Sequence, residues 1–157
     1  MIILSKTKIL PLMKFPYLLL LTAALTAGCE VKTSVDVSSG TDEAKTKEIL
    51  DHHWNTFQAN DLDGVMADYT EESVLITPDK TVAGLKDLRD HFATVFTLFP
   101  KDSTTLRLDK SVINKDVAYI IWSAEAPKID ISYGTDTFII RDGKIVRQTF
   151  AGVVVPQ

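Results

Sequence analysis

"YGTDTFIIRDGKIVRQTF", residues 133–150, carries Asp142-Gly143 between two apolar, β-branched runs. The pair supplies the two positive-φ positions of a two-residue hairpin loop, so the stretch reads as two antiparallel strands closed by a tight turn. Strand side chains alternate in direction, which sends Asp136, Phe138 and Ile140 to one face. A carboxylate on an apolar face needs an explanation. With the turn setting the register, Ile140 opposes Ile145, Phe138 opposes Arg147 and Asp136 opposes Thr149. Ile139, Val146 and Phe150 then share the other face. Apolar residues on both faces predict that the second face meets another copy, in a homodimer.

Upstream, further strands are read at 104–113 and 117–126, ahead of the hairpin strands 130–140 and 144–155. Helices come before them. Ile49, Leu50, His53, Trp54 and Phe57 recur at helical spacing until Asn60, with Thr41 as the cap and Asp42 and Glu43 at the positive end. Leu62, Val65, Met66 and Tyr69 mark a second, short helix. "SVLIT" (73–77) is a strand halted by Pro78-Asp79, and Leu85, Leu88, Phe92, Val95, Phe96 and Phe99 form the stripe of a third helix between Gly84 and Pro100. Three helices followed by a run of strands define an α+β fold, its helices covering one face of a mainly antiparallel sheet.

The N-terminal segment is of another kind. Lys6, Lys8 and Lys14 precede the apolar run "FPYLLLLTAALTAGC" (15–29), which is too short for a membrane span and reads as a secretory signal beginning at Met1 or Met13. Thr26-Ala27-Gly28 before Cys29, the single cysteine, resembles a bacterial lipoprotein processing site. Residues 1–28 are thus expected to be a lipoprotein signal peptide, with Cys29 lipidated and anchoring the protein to a membrane. Glu30 after the cysteine favours the outer membrane if the cell is Gram-negative. Residues 29–41, rich in Ser and Thr, read as a flexible tether to a domain spanning 42–157. Removing residues 1–28 takes three Lys and no acid, leaving 14 basic against 21 acidic side chains, a net −7. So acidic a domain is expected to repel nucleic acid.

"FQANDLDGVMADYTEESVLITPD" (57–79), "GLKDLRDHF" (84–92) and "TDTFIIRDGKIVRQTF" (135–150) resemble the nuclear transport factor 2-like superfamily, in its SnoaL-like and ketosteroid-isomerase-like branch. The resemblance implies a cone in which a curved sheet wraps the long helix around an apolar pocket, commonly in dimers. It spans isomerases, cyclases, dehydratases and epoxide hydrolases as well as binding modules. Aligned on these motifs, His53 falls where ketosteroid isomerases carry an oxyanion-hole tyrosine, and Asp136 on their oxyanion-hole aspartic acid. Thr77 stands at the position of their general base. A threonine cannot remove a carbon-bound proton at neutral pH, so steroid isomerisation is not expected.

Asp136 has two readings. Held among Phe138, Ile140 and Trp122, it would resist ionisation and act as a hydrogen-bond donor; paired diagonally with Arg147, it would be a structural carboxylate. His53, on the apolar stripe of the first helix, is either a proton shuttle or a satisfied core histidine. His52 points to the helix edge, His91 reads as surface, and Asp68, Glu71 and Glu72 read as solvated helix-end charges. Trp54, Tyr69, Phe92, Phe96, Trp122 and Phe138 are candidate pocket lining, with plain core as the alternative. No metal is expected, since adjacent His52 and His53 cannot share an ion from one helix. The scattered glycines form no dinucleotide or phosphate loop, and no cofactor is expected. The leading expectation is a lipid-anchored, exported domain that binds a small apolar or aromatic molecule, with Asp136 and His53 as polar anchors. Two alternatives stand beside it: a cofactor-free isomerase, cyclase or dehydratase using the same pair, and an envelope protein-interaction module.

Overall fold

The computed structural model describes residues 43–157. The expected signal peptide, the lipidated Cys29, the tether and the Thr41 cap lie outside the described residues. Helix α1 (Glu43–Gln58) buries Thr46, Ile49, Leu50 and His53, the i, i+3, i+4, i+7 set of one helical face. It ends where Asn60 adopts φ 53°, a left-handed conformation that Asn tolerates, and the Asn60 amide donates to the Phe99 carbonyl at 3.0 Å. Asp61 then caps α2 (Leu62–Ala67), its carboxylate accepting from the Gly64 N–H at 2.9 Å. Strand β1 (Val74–Ile76) turns through Pro78-Asp79 into β2 (Thr81–Ala83), a short strand that three residues of sequence were too few to announce. Helix α3 (Leu85–Leu98) turns Leu88 and Phe92 inward.

A single turn of 3₁₀ helix (Lys101–Ser103) leads into the long strands β3 (Thr105–Asn114), β4 (Val117–Glu125), β5 (Ile129–Arg141) and β6 (Lys144–Pro156). The six strands run in the order β2-β1-β6-β5-β4-β3, all neighbours antiparallel except β1 and β6. Asp142 and Gly143 take φ 51° and 70°, as the two-residue turn requires. β-Bulges interrupt the β3/β4, β4/β5 and β5/β6 ladders, each adding local twist that bends the sheet over α1 and α3. Leu50, Val65, Leu75, Leu88, Phe138 and Ile145 fill the space between the layers.

One bulge corrects the expected hairpin register. Ile140 does oppose Ile145, but Val146 is an extra residue, so Ile139 opposes Arg147, Phe138 opposes Gln148 and Asp136 opposes Phe150. From Arg147 onward every side chain changes face relative to the expectation. Phe150 therefore lies on the inner face, 5.8 Å from Trp122 between ring centroids, and Arg147 is turned out. The outer face exposes Val112, Tyr133 and Val153.

Candidate functional site

Between the inner face of the sheet, α1 and α3 lies a cavity of about 440 Å³. Trp54, Phe92, Trp122 and Phe138, four of the six aromatic residues singled out by sequence, line it. The other two do not. Phe96 packs against Phe57 with centroids 5.5 Å apart, and Tyr69 is buried behind Gln148. Phe57, Phe99, Ile120 and Phe150 are among the other apolar residues of its wall. Thr77, Pro78, Asp79, Lys80 and His91 form an edge where the lining meets solvent. His91 is thus half-buried cavity lining, contrary to its expected surface position, because the β1–β2 turn residues Thr77–Lys80 share this rim with it and Lys80 is close enough to act on its charge. Burial, and then the charge of Lys80, lower its pKa.

Asp136 faces this cavity and is only 5% exposed. Its Oδ2 accepts from the indole N–H of Trp122 at 2.7 Å and its Oδ1 from the amide Nε2 of Gln148 at 2.8 Å. The phenol of Tyr69 donates to Gln148 Oε1, which orients the amide so that its N–H groups aim at the acid. Burial pushes the Tyr69 pKa well above 10, and the charges of Asp136 and Asp68 add to it, so this phenol stays a donor. Burial likewise raises the Asp136 pKa to about 6, against the pull of the Gln148 and Trp122 hydrogen bonds and of nearby His53. Arg147 plays no part. Its guanidinium donates to the Glu72 carbonyl at 3.0 Å on the far side of the sheet, so the expected diagonal ion pair does not form. Gln148, missed from sequence, occupies that place because the bulge at Val146 turns it inward.

Gly134 permits the indole contact. A Cβ there would sit 2.8 Å from the Trp122 ring, which could no longer lie flat against β5.

His53 is buried among the rings of Phe138, Tyr69 and Phe92, at centroid distances of 5.3, 5.6 and 5.9 Å, and it lines the cavity. Its Nδ1 lies 3.4 Å from Asp68 Oδ2. Asp68 is 3% exposed, not the solvated charge expected from its place in an acidic run; its other oxygen, Oδ1, accepts from Nδ1 of half-exposed His52 at 2.8 Å. Glu71 and Glu72 are exposed as expected, with Glu71 accepting from the Leu85 N–H at the start of α3. Among the described residues no three His, Cys, Asp or Glu side chains are grouped to hold a metal ion.

Helices laid on a bent six-stranded mixed sheet, with an aromatic cavity between the layers, define a nuclear transport factor 2-like domain. The SnoaL-like domain model matches residues 50–148, more than half of the chain, and the protein belongs to the SnoaL-like family. None of the curated proteins matches it in sequence. Among solved structures it is similar to the epoxide hydrolase/cyclase-like enzyme SalBIII of pyran ring formation in the polyether salinomycin, with TM-score 0.64, 20% identity, and 74% of this chain and 99% of that one covered. A nuclear transport factor 2-like protein of unknown function from Mesorhizobium loti gives TM-score 0.62 and 22% identity over 71% and 93% of the two chains. TerC, co-crystallized with polyporic acid, gives TM-score 0.59 and 15% identity over 69% and 92%.

Proposed function

We propose that this SnoaL-like domain binds a small apolar or aromatic molecule in its cavity, with Asp136 and His53 as the polar anchors. The observation that carries the reading is the geometry of the cavity. A volume of about 440 Å³ walled by aromatic rings suits a ligand of one to three fused rings, and its polar end is a carboxylate whose two oxygens are held by fixed donors. The similarity to TerC, co-crystallized with polyporic acid, supports a small-molecule role. Isothermal titration of the protein with 2-naphthol tests it: saturable one-to-one binding is expected, and no heat up to the solubility limit would sink the proposal.

A second reading, cofactor-free acid/base catalysis, is favoured by one feature. A buried carboxyl with a pKa of about 6 exchanges protons near neutrality, where a general acid/base is most useful, and His53 lies close enough to pull that pKa down. The similarity to SalBIII, an epoxide hydrolase/cyclase-like enzyme, supports an enzymatic role.

We further propose that the protein is exported, anchored in a membrane through lipid on Cys29, and dimeric through the outer sheet face that exposes Tyr133 and Val153. Native mass spectrometry of protein purified from its source reads all three features at once. The expected mass is a dimer whose subunits begin at Cys29 with a diacylglycerol adduct and retain a bound small molecule. Unmodified monomers beginning at Met1 would contradict anchor and dimer together.

A further inference from the structure

Among the described residues only three buried side-chain polar atoms lack a hydrogen bond, and two of them face each other: His53 Nδ1 and Asp68 Oδ2, 3.4 Å apart. Both belong to residues that are less than 5% exposed. Buried polar atoms left unpaired cost free energy, so two that face one another at this distance are partners in waiting. Hydrogen bonds at functional centres are often long before a ligand arrives and tighten when it does. Asp68 is well fixed for such a role. Its Oδ1 is held by His52 at 2.8 Å, and its backbone carbonyl accepts from the Ile145 N–H at 2.8 Å, tying the end of α2 to β6.

We propose that Asp68 is a positioning residue for His53, holding it as the Nδ1–H tautomer so that the Nε2 lone pair faces the cavity, and that the cavity therefore selects ligands whose polar end donates a hydrogen bond. This rests on the reading of the cavity as a ligand site.

The chemistry follows from the donor and acceptor inventory. An ionised carboxylate only accepts, so the imidazole nitrogen aimed at it must carry the proton, and a neutral ring then has its acceptor at Nε2. Nδ1 lies 3.4 Å from Asp68, which does not line the cavity, while the ring does. That leaves Nε2 as the polar atom His53 offers there. Asp136 offers the same character. With a pKa of about 6 it is mainly a carboxylate at neutral pH, and the protein donors on its two oxygens leave further lone pairs free. Two acceptors at one end of an apolar cavity fit a phenol, an enol or an alcohol and disfavour an ether or ester of the same shape. The discrimination has the familiar cause that a buried acceptor facing an unmatched ligand acceptor is left desolvated and unpaired.

Long-range ¹⁵N–¹H correlation spectra of the histidine rings at pH 8.5 test the first half directly, with the His53 signals assigned by their loss in His53→Gln. The expected wild-type pattern is a protonated Nδ1 and a bare Nε2. In Asp68→Asn, whose amide can turn its NH₂ toward the ring, the proton is expected to move to Nε2. A proton on Nε2 in the wild type overturns the proposal, as does an unchanged tautomer in the variant; should the variant not fold, the wild-type spectrum decides. Titrations with 2-naphthol and 2-methoxynaphthalene test the second half. At least tenfold tighter binding of the naphthol is expected, and equal affinity overturns the selection of donors. If neither compound binds, the ligand reading of the cavity falls and takes the selectivity with it, while the tautomer of His53 is still settled by its own spectrum.

Discussion

Asp136→Asn is expected to make the protein about 1–2 kcal/mol more stable than the wild type at pH 7.5 and no more stable at pH 4. The sign follows from the direction of the shift. Asp136 has a folded-state pKa of about 6 against an ordinary 3.8, so its contribution to stability is fully present below about 3.8 and is lost as pH rises through about 6. Above that, ionising this buried group costs about 3 kcal/mol. Asparagine never ionises. It can also be accommodated: its carbonyl takes the Trp122 N–H, and if the Gln148 amide turns over, the new NH₂ donates to Oε1. The price is the hydrogen bond that Tyr69 now gives to Gln148, worth about 1 kcal/mol, which is why the expected gain is below the full ionisation cost. Urea denaturation of both proteins at the two pH values checks it. A variant less stable than the wild type at both would show that the surrounding donors, and not burial, dominate the energetics of this acid. A gain in stability at the expense of ligand affinity would mark Asp136 as retained for function.

Phe138→Ala is expected to have the larger effect, a loss of about 3–5 kcal/mol. The ring is 1% exposed, packs edge-on against His53 at 5.3 Å between centroids, and forms part of the cavity wall. Truncation removes its transfer free energy and leaves a hole that a six-stranded sheet cannot collapse to fill, and the hole would merge with the existing cavity. Phe138→Leu, which keeps most of the volume, is expected to cost less than about 2 kcal/mol. Chemical denaturation midpoints separate these outcomes. Equal losses for the two variants would mean that contacts particular to the aromatic ring outweigh the volume it fills.

Much of the fold was legible because the signals are local. The stripe from Ile49 to Phe57, the caps and stops around Asn60 and Gly84, and Asp142-Gly143 act within a few residues, and each element they announce is present. β2 escaped because Thr81–Ala83 is a strand only through its pairing with β1. The site was legible in part. Asp136, His53 and four aromatic lining residues were found by asking which side chains share a face, a question that periodicity answers. Tyr69 and Phe96 share those faces too but sit beyond the reach of the cavity, a matter of depth that spacing does not encode.

From its sequence alone this chain determines its helices, its terminal hairpin and the placing of a carboxylate on an inward strand face, since backbone propensity and two-residue alternation need only near neighbours. Tertiary structure decided what that carboxylate meets. The bulge at Val146 exchanged Arg147 for Gln148 beneath Asp136, turning a charged pair into a neutral cradle. The packing of α1 against the end of α2 buried Asp68 beside two histidines. A one-residue slip and a helix contact each reverse the environment of an ionisable group, and both are set by how whole elements fit together.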